Sequence, residues 1–150
     1  MSSTEANKDA CQIDFYRLDN PSIDTRHFAC RLAMMAWERK QKIFIVTDSE
    51  TAIGELDELL WQYPEGRFLP HAVAGQSDAG LAVINIGTLS SLNPVDVVIN
   101  LSNQAVPQPV RFSRVLEIVP NAESERDASR TKFKTYRDQG IHPRTHEINK

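Results

Sequence analysis

Two hydrophobic rhythms take turns along this chain. The first is a short, nearly unbroken apolar run between turn residues, as in a strand covered on both faces. It occurs at Ile43 to Thr47 (IFIVT), Ala82 to Ile86 (AVINI), Val95 to Leu101 (VDVVINL) and Val115 to Val119 (VLEIV). A looser version, Ile13 to Leu18 (IDFYRL), is closed by Asp19-Asn20-Pro21. The second rhythm is helical. From Thr25 to about Lys40, the residues Phe28, Ala29, Leu32, Ala33, Met35, Ala36 and Trp37 are expected to make a broad buried face. Asp48 or Ser49 can cap a second helix that runs to about Trp61. A third spans about Glu123 to Gln139 and stops at Gly140, a C′ glycine. Phe68-Leu69-Pro70-His71 reads as a short edge strand, where proline is tolerated. Strands alternating with helices predict an α/β fold: one Rossmann-like domain with an open, mostly parallel sheet and helices on both faces. The domain is expected to cover 13–150, behind a disordered leader at 1–12.

A chain of 150 residues, 41% hydrophobic and 25% charged, suits one ordinary globular core. It has no long apolar span, and Met1 to Ala10 lacks the apolar stretch of a signal peptide. Cys11 and Cys30 provide neither a disulfide framework nor metal-ligand spacing, so a reducing cytoplasm is expected. Cys30 lies among apolar helical positions and reads as a core thiol rather than a nucleophile. His142 and His146 lack the upstream cysteine pair of a zinc site and read as a solvated tail.

Nucleotide chemistry fares no better. A phosphate loop needs glycines after the first strand, but that turn is Leu18-Asp19-Asn20-Pro21, and Asp19 repels phosphate. Gly75 to Gly80 has P-loop glycine spacing, yet Leu81-Ala82 follows where Lys-Ser/Thr is required. Ser90, Ser91 and Ser102 lie in loops without a triad signature. The expectation is a protein with no catalytic constellation, no cofactor and no metal.

Charge changes the picture at one end. The net charge is −3, but Arg126 to Arg144 holds six Lys/Arg against two Asp/Glu, leaving an acidic body with a basic C-terminal segment. At about 100° per residue, Arg126, Arg130, Phe133 and Arg137 fall within an arc of roughly 60°. Three guanidiniums and a ring on one stripe suit an acidic peptide with an apolar end, or a single nucleic-acid strand stacked on Phe133. The stripe could equally be a solvated basic face with Phe133 turned inward. Trp61 falls roughly 140° from the centre of the apolar arc formed by Leu56, Leu59 and Leu60. Either it is an exposed anchor for a protein partner, or the helix ends at Leu60 and Trp61 folds over the sheet edge.

Four segments, in order, resemble the chi subunit family of bacterial DNA polymerase III. They are Ile13-Asp14-Phe15-Tyr16-Arg17-Leu18-Asp19-Asn20, Leu56-Asp57-Glu58-Leu59-Leu60-Trp61, Phe68-Leu69-Pro70-His71 with Ala74-Gly75, and Val119-Pro120 with Arg130, Lys134, Tyr136, Arg137 and Gly140. The resemblance implies a Rossmann-like domain without a nucleotide and an adaptor role in the clamp-loader assembly. One implied partner is the psi subunit, in a 1:1 heterodimer, at Trp61, Pro64 and Phe68; the rest of the clamp loader is reached through psi. The other is the acidic C-terminal tail of single-stranded-DNA-binding protein, which ends in a phenylalanine carboxylate. It is expected at Val119, Arg126, Arg130 and Phe133, with Arg137 on the same stripe. DNA is contacted only indirectly, no membrane is involved, and a helicase is a further candidate for the Trp61 patch. The alternative is a direct single-stranded nucleic-acid-binding module using the basic helix. The family often has Tyr at Phe133 and Lys at Arg126, so a hydroxyl is lost and a guanidinium gained.

Overall fold

The computed structural model describes residues 11–62, 70–74 and 83–149. Among the described residues, seven strands form one sheet: β1 (Gln12–Leu18), β2 (Ile43–Val46), β3 (His71–Val73), β4 (Ile84–Gly87), β5 (Val97–Asn100), β6 (Arg114–Val119) and β7 (Arg144–Ile148). Their order is β3-β4-β2-β5-β6-β1-β7, and every neighbouring pair is parallel. Helices α1 (Thr25–Glu38) and α2 (Glu50–Gln62) cover one face, and α3 (Glu123–Asp138) covers the other.

The continuous apolar runs explain this layering. Successive strand residues point to opposite faces, so a central strand must be apolar at every position. Ile43, Ile45, Ile84, Ile86, Val97 and Ile99 meet α1 and α2. Phe44, Val46, Val98, Val115 and Val119 lie in the other layer, with Phe15 of β1 and Tyr136 of α3. Each fully buried large aliphatic side chain contributes roughly 1.5–3 kcal/mol. Leu56 and Leu60, one helical turn apart, fasten α2 in this way.

Local signals set the helix ends. The Asp24 carboxylate accepts from the backbone N–H of Arg26 and His27 and starts α1. Of the two candidate caps for α2, it is the Ser49 hydroxyl that accepts from Ala52 N–H, at 3.2 Å. Helix α3 has Ala122 at its N-cap with no side-chain cap, but Glu123 and Glu125 sit in its first turn, where negative charge is favoured. Gly140 closes α3 at φ 85°, as expected of a C′ glycine.

Five expectations need correction or relocation. The polar C-terminal stretch is no solvated tail: Arg144–Ile148 forms β7 and pairs in parallel with β1, through Asp14↔Arg144 to Leu18↔Ile148. Residues 11 and 12 belong to the fold, since Gln12 opens β1 and Cys11 is buried with its thiol donating to Pro109 O at 3.0 Å. The rest of the leader, 1–10, lies outside the described residues. The edge strand near Pro70 is His71–Val73, while Phe68 and Leu69 are outside the described residues. Met35, expected on the buried face of α1, is 47% exposed. Gly75 to Gly80 also lies outside the described residues.

Candidate functional site

Parallel strands deliver β1, β6 and β7 to one end of the sheet with their C-terminal halves side by side, and α3 crosses above them. A cavity of about 210 Å³ opens there. Phe15, Val119 and Phe133 supply its apolar walls; Arg17, Arg126 and Arg130 supply its charge, with Ser129 and Thr145 beside them. Phe133 is half-buried, its ring centroid 5.3 Å from that of Phe15. It therefore serves both the core and the cavity wall, which joins the two readings of this residue.

The three arginines are held differently. Arg126 Nη2 donates to Asp19 Oδ1 at 3.1 Å and to Asn121 Oδ1 at 3.0 Å. Asp19 also faces Arg17 Nε at 3.1 Å, so one carboxylate steadies two guanidiniums. The Nε–H of Arg126 is buried without a partner among the described residues. Arg130 meets Asp127 on its own helix, and both side chains are well exposed. Exposed pairs of this kind exchange readily for another carboxylate. Arg137, predicted on the same stripe, lies one turn further along, in a neighbouring groove with Arg130, Phe133, Lys134 and Asp138. An apolar-walled cavity rimmed by guanidiniums near the N-terminal half of α3 is suited to a carboxylate carried on an apolar group.

The helical arc grouped Arg126, Arg130 and Phe133, the family resemblance added Val119, and all four line this cavity. Sequence reasoning missed Phe15, Arg17, Ser129 and Thr145. Phe15 and Arg17 share a face by the strand alternation of IDFYRL, but nothing local says that β1 lies beside β6.

At the other end of the sheet, α2 continues through Trp61 to Gln62. Trp61 is 56% exposed, with its ring centroid 4.7 Å from that of buried His71 on edge strand β3. The helix does not end at Leu60, yet the indole does lean on the sheet edge, so each reading of Trp61 captures part of its setting. Pro64 and Phe68 lie outside the described residues.

Two buried polar centres were not foreseen. Asp14 on β1 is fully buried and meets Arg114 Nη2 at 2.8 Å, His146 Nε2 at 2.9 Å and Arg144 Nε at 3.5 Å. Burial pushes its carboxyl up, but hydrogen bonds from Arg114, His146 and Gln12 outweigh this and hold it below the usual carboxylate value. Glu117 of β6 is likewise fully buried, between Lys132 and Tyr136 of α3. Lys132, one of the six cations counted in the basic segment, therefore belongs to the interior. Burial and then the neighbouring Glu117 push the Tyr136 phenol upward. Cys30 is completely buried, and burial raises its thiol to about 12, which suits a core thiol. Among the described residues, no three His, Cys, Asp or Glu side chains gather to hold a metal ion. No helix among them is long and apolar enough to cross a membrane.

Sheet order and cavity define the class: an open, all-parallel α/β protein covered on both faces, with a cationic, aromatic-walled cleft under its last helix. The family profile described as "DNA polymerase III chi subunit, HolC" matches residues 11–144. DNA polymerase III subunit chi of Pseudomonas aeruginosa is 32% identical over 138 residues, covering 91% of this chain and 96% of that protein. The Haemophilus influenzae subunit is 29% identical, covering 89% and 95%, and the Escherichia coli K12 subunit is 29% identical, covering 87% and 94%. A chain from the solved Saccharomyces cerevisiae complex of Dbp5 with Nup159, Gle1, IP6 and ADP superposes with a TM-score of 0.69 at 13% identity. That superposition covers 95% of this chain and 43% of the yeast one, and it is a likeness of fold alone. The chain belongs to the DNA polymerase III chi subunit family and is thus an accessory subunit of the bacterial replicative polymerase.

Proposed function

We propose that this subunit is a non-catalytic, cytoplasmic adaptor that joins the clamp-loader assembly to single-stranded-DNA-binding protein. Its α3 cavity takes the acidic C-terminal tail of that protein, and its Trp61 face takes psi, through which the rest of the clamp loader is reached. The observation that carries this reading is the cavity itself: apolar walls from Phe15, Val119 and Phe133 under a rim of Arg17, Arg126 and Arg130. A terminal phenylalanine offers the two chemistries that such a cavity selects, a ring for the walls and a carboxylate for the rim. Trp61, exposed at the end of α2, has the size and position of an interface anchor. One such contact can be weak. Several tails on one DNA-coating protein multiply it through effective concentration, and the subunit has no need to grip DNA.

The test is titration calorimetry with an acidic peptide ending in Phe, once as the free acid and once as the C-terminal amide. The free acid should bind, and the amide should bind at least about tenfold more weakly, because the charge-assisted contact is gone. Equal binding of both forms would remove the terminal carboxylate from the mechanism. Binding of single-stranded DNA with no binding of either peptide would replace the proposal with the direct nucleic-acid reading. Retention of psi by the parent chain, but not by a Trp61 variant, tests the second face.

A further inference from the structure

Helix α3 carries the stripe, yet it is joined to the sheet in an unusual way. Its two buried side chains are Lys132 and Tyr136, one turn apart, and both end in polar groups. Both converge on Glu117, in the middle of β6 and fully buried. Lys132 Nζ donates to Glu117 Oε1 at 2.7 Å and to Ser102 O at 2.8 Å. The Tyr136 hydroxyl donates to Glu117 Oε2 and accepts from Val106 N–H at 2.8 Å. Asn100 Nδ2 donates to the same Oε2 at 2.9 Å, and Ser102 Oγ donates to Asn100 Oδ1 at 2.7 Å. Each carboxylate oxygen is thus engaged by groups on fixed elements.

Apolar contact tolerates sliding and rotation, whereas hydrogen bonds of this number do so far less. A buried ion pair is a poor source of stability compared with apolar residues of similar volume, and its best-attested use is to fix a register. Glu117 also lies two residues before Val119, on the same face of β6, so the anchor and the cavity wall share one strand. We infer that the Glu117–Lys132–Tyr136 network is a positional lock: it sets the rotation of α3 about its own axis and thereby places Arg126, Arg130 and Phe133 over the cavity. This rests on the tail-binding reading above for its consequence, though not for its geometry. The lever is short but sufficient. With side chains ending about 5 Å from the helix axis, a rotation of about 20° displaces them by about 2 Å. A binding constellation loses function when it loosens by about 1 Å.

The test variant is Glu117→Gln/Lys132→Met, which neutralises the pair at nearly constant volume. Ile86→Ala, a cavity variant in the opposite layer, is the control for general destabilisation. Three readouts are taken: melting temperature, affinity for the acidic peptide ending in Phe, and the distance between spin labels at Thr131→Cys and Val110→Cys. The double variant should melt within about 4 °C of the parent, a small change for a chain of this size. It should bind the peptide at least about fivefold more weakly, and the label distance should broaden or shift by about 2 Å. Ile86→Ala should melt lower yet bind as the parent does. Parent-like affinity and distance in the double variant overturn the lock. So does a loss of affinity that Ile86→Ala matches. If the parent itself ignores the peptide, the tail-binding reading fails, and the label distance alone decides the lock. If the double variant does not fold, Tyr136→Phe, which removes one bond to Glu117 and leaves the ion pair intact, carries the same comparison.

Discussion

Arg130→Ala should separate binding from folding on α3. Among the described residues, Arg130 pairs with Asp127, three positions back on the same helix, and its side chain is 70% exposed. Such a pair contributes about 0.3–0.5 kcal/mol, and alanine is at least as good a helix former. The melting temperature should therefore move by no more than about 2 °C. Binding should respond far more. A hydrogen bond between charged groups contributes roughly 1.5–3 kcal/mol, which is about 10- to 150-fold in affinity. The solvent around Arg130 places the effect near the lower end, about tenfold. The affinity should also become less sensitive to salt, because one of the attracting charges is gone. Arg126→Ala cannot make this separation. Arg126 is only 27% exposed and ties α3 to Asp19 and Asn121, so its loss lowers stability and affinity together. The assay is tail-peptide calorimetry at two salt concentrations beside a melting curve for each variant. Parent-like affinity of Arg130→Ala at low salt would falsify the carboxylate-pairing argument and leave the stripe as a solvated face.

Phe133→Ala should weaken the same peptide by about 1–2 kcal/mol through lost apolar contact while leaving its salt dependence nearly unchanged, and the same calorimetric series reads this. It should also lower the melting temperature, since the ring packs on Phe15. Trp61→Ala should cost roughly 2 kcal/mol or more of psi binding, with only a slight change in the melting curve, because the indole is 56% exposed; an unchanged psi affinity counts against the anchor. Asp14→Asn should cost about 2–4 kcal/mol in urea unfolding at pH 7, as it strands Arg114 and His146 against a buried site. The Asp14 carboxyl is held low in the folded chain, so its stabilisation is present above the unfolded value of about 3.9 and fades as pH falls through the folded value. The variant should therefore lose less stability than the parent between pH 5 and pH 2, and parallel curves would refute the assignment.

The central strands were legible because IFIVT and VLEIV admit few other fates: apolar residues on both faces require cover on both faces. The helices were legible through their spacing and through Ser49 and Gly140; the Asp24 cap of α1 was not read. β7 was not. Arg144–Ile148 (RTHEI) is polar at four of its five positions, and its strand form depends on backbone pairing with β1 and on the Asp14 carboxylate between them. Neither partner is near in sequence. The Glu117 lock did leave a trace. A glutamate in the middle of VLEIV, a strand expected to be buried on both faces, must find a cation or lose its charge. Which cation could not be read, because Lys132 looks like its solvated neighbours until the rotation of α3 is known. At the cavity, α3 announced its own residues through the helical arc. Phe15, Arg17 and Thr145 arrive from strands whose adjacency only the topology reveals.

The strand order also has a mechanical meaning. Trp61 leans on β3, at one edge of the sheet, and the cavity sits over β6, β1 and β7 at the other, beneath the opposite layer. Five strand spacings of about 4.8 Å separate β3 from β1, so the two surfaces stand about 24 Å apart across a rigid, close-packed slab. At that separation, perturbations with no shared partner add without coupling. On the two-partner reading proposed above, the sheet is a spacer between the two loads, and tension between them would be carried by parallel strands pulled sideways through their hydrogen-bonded ladders.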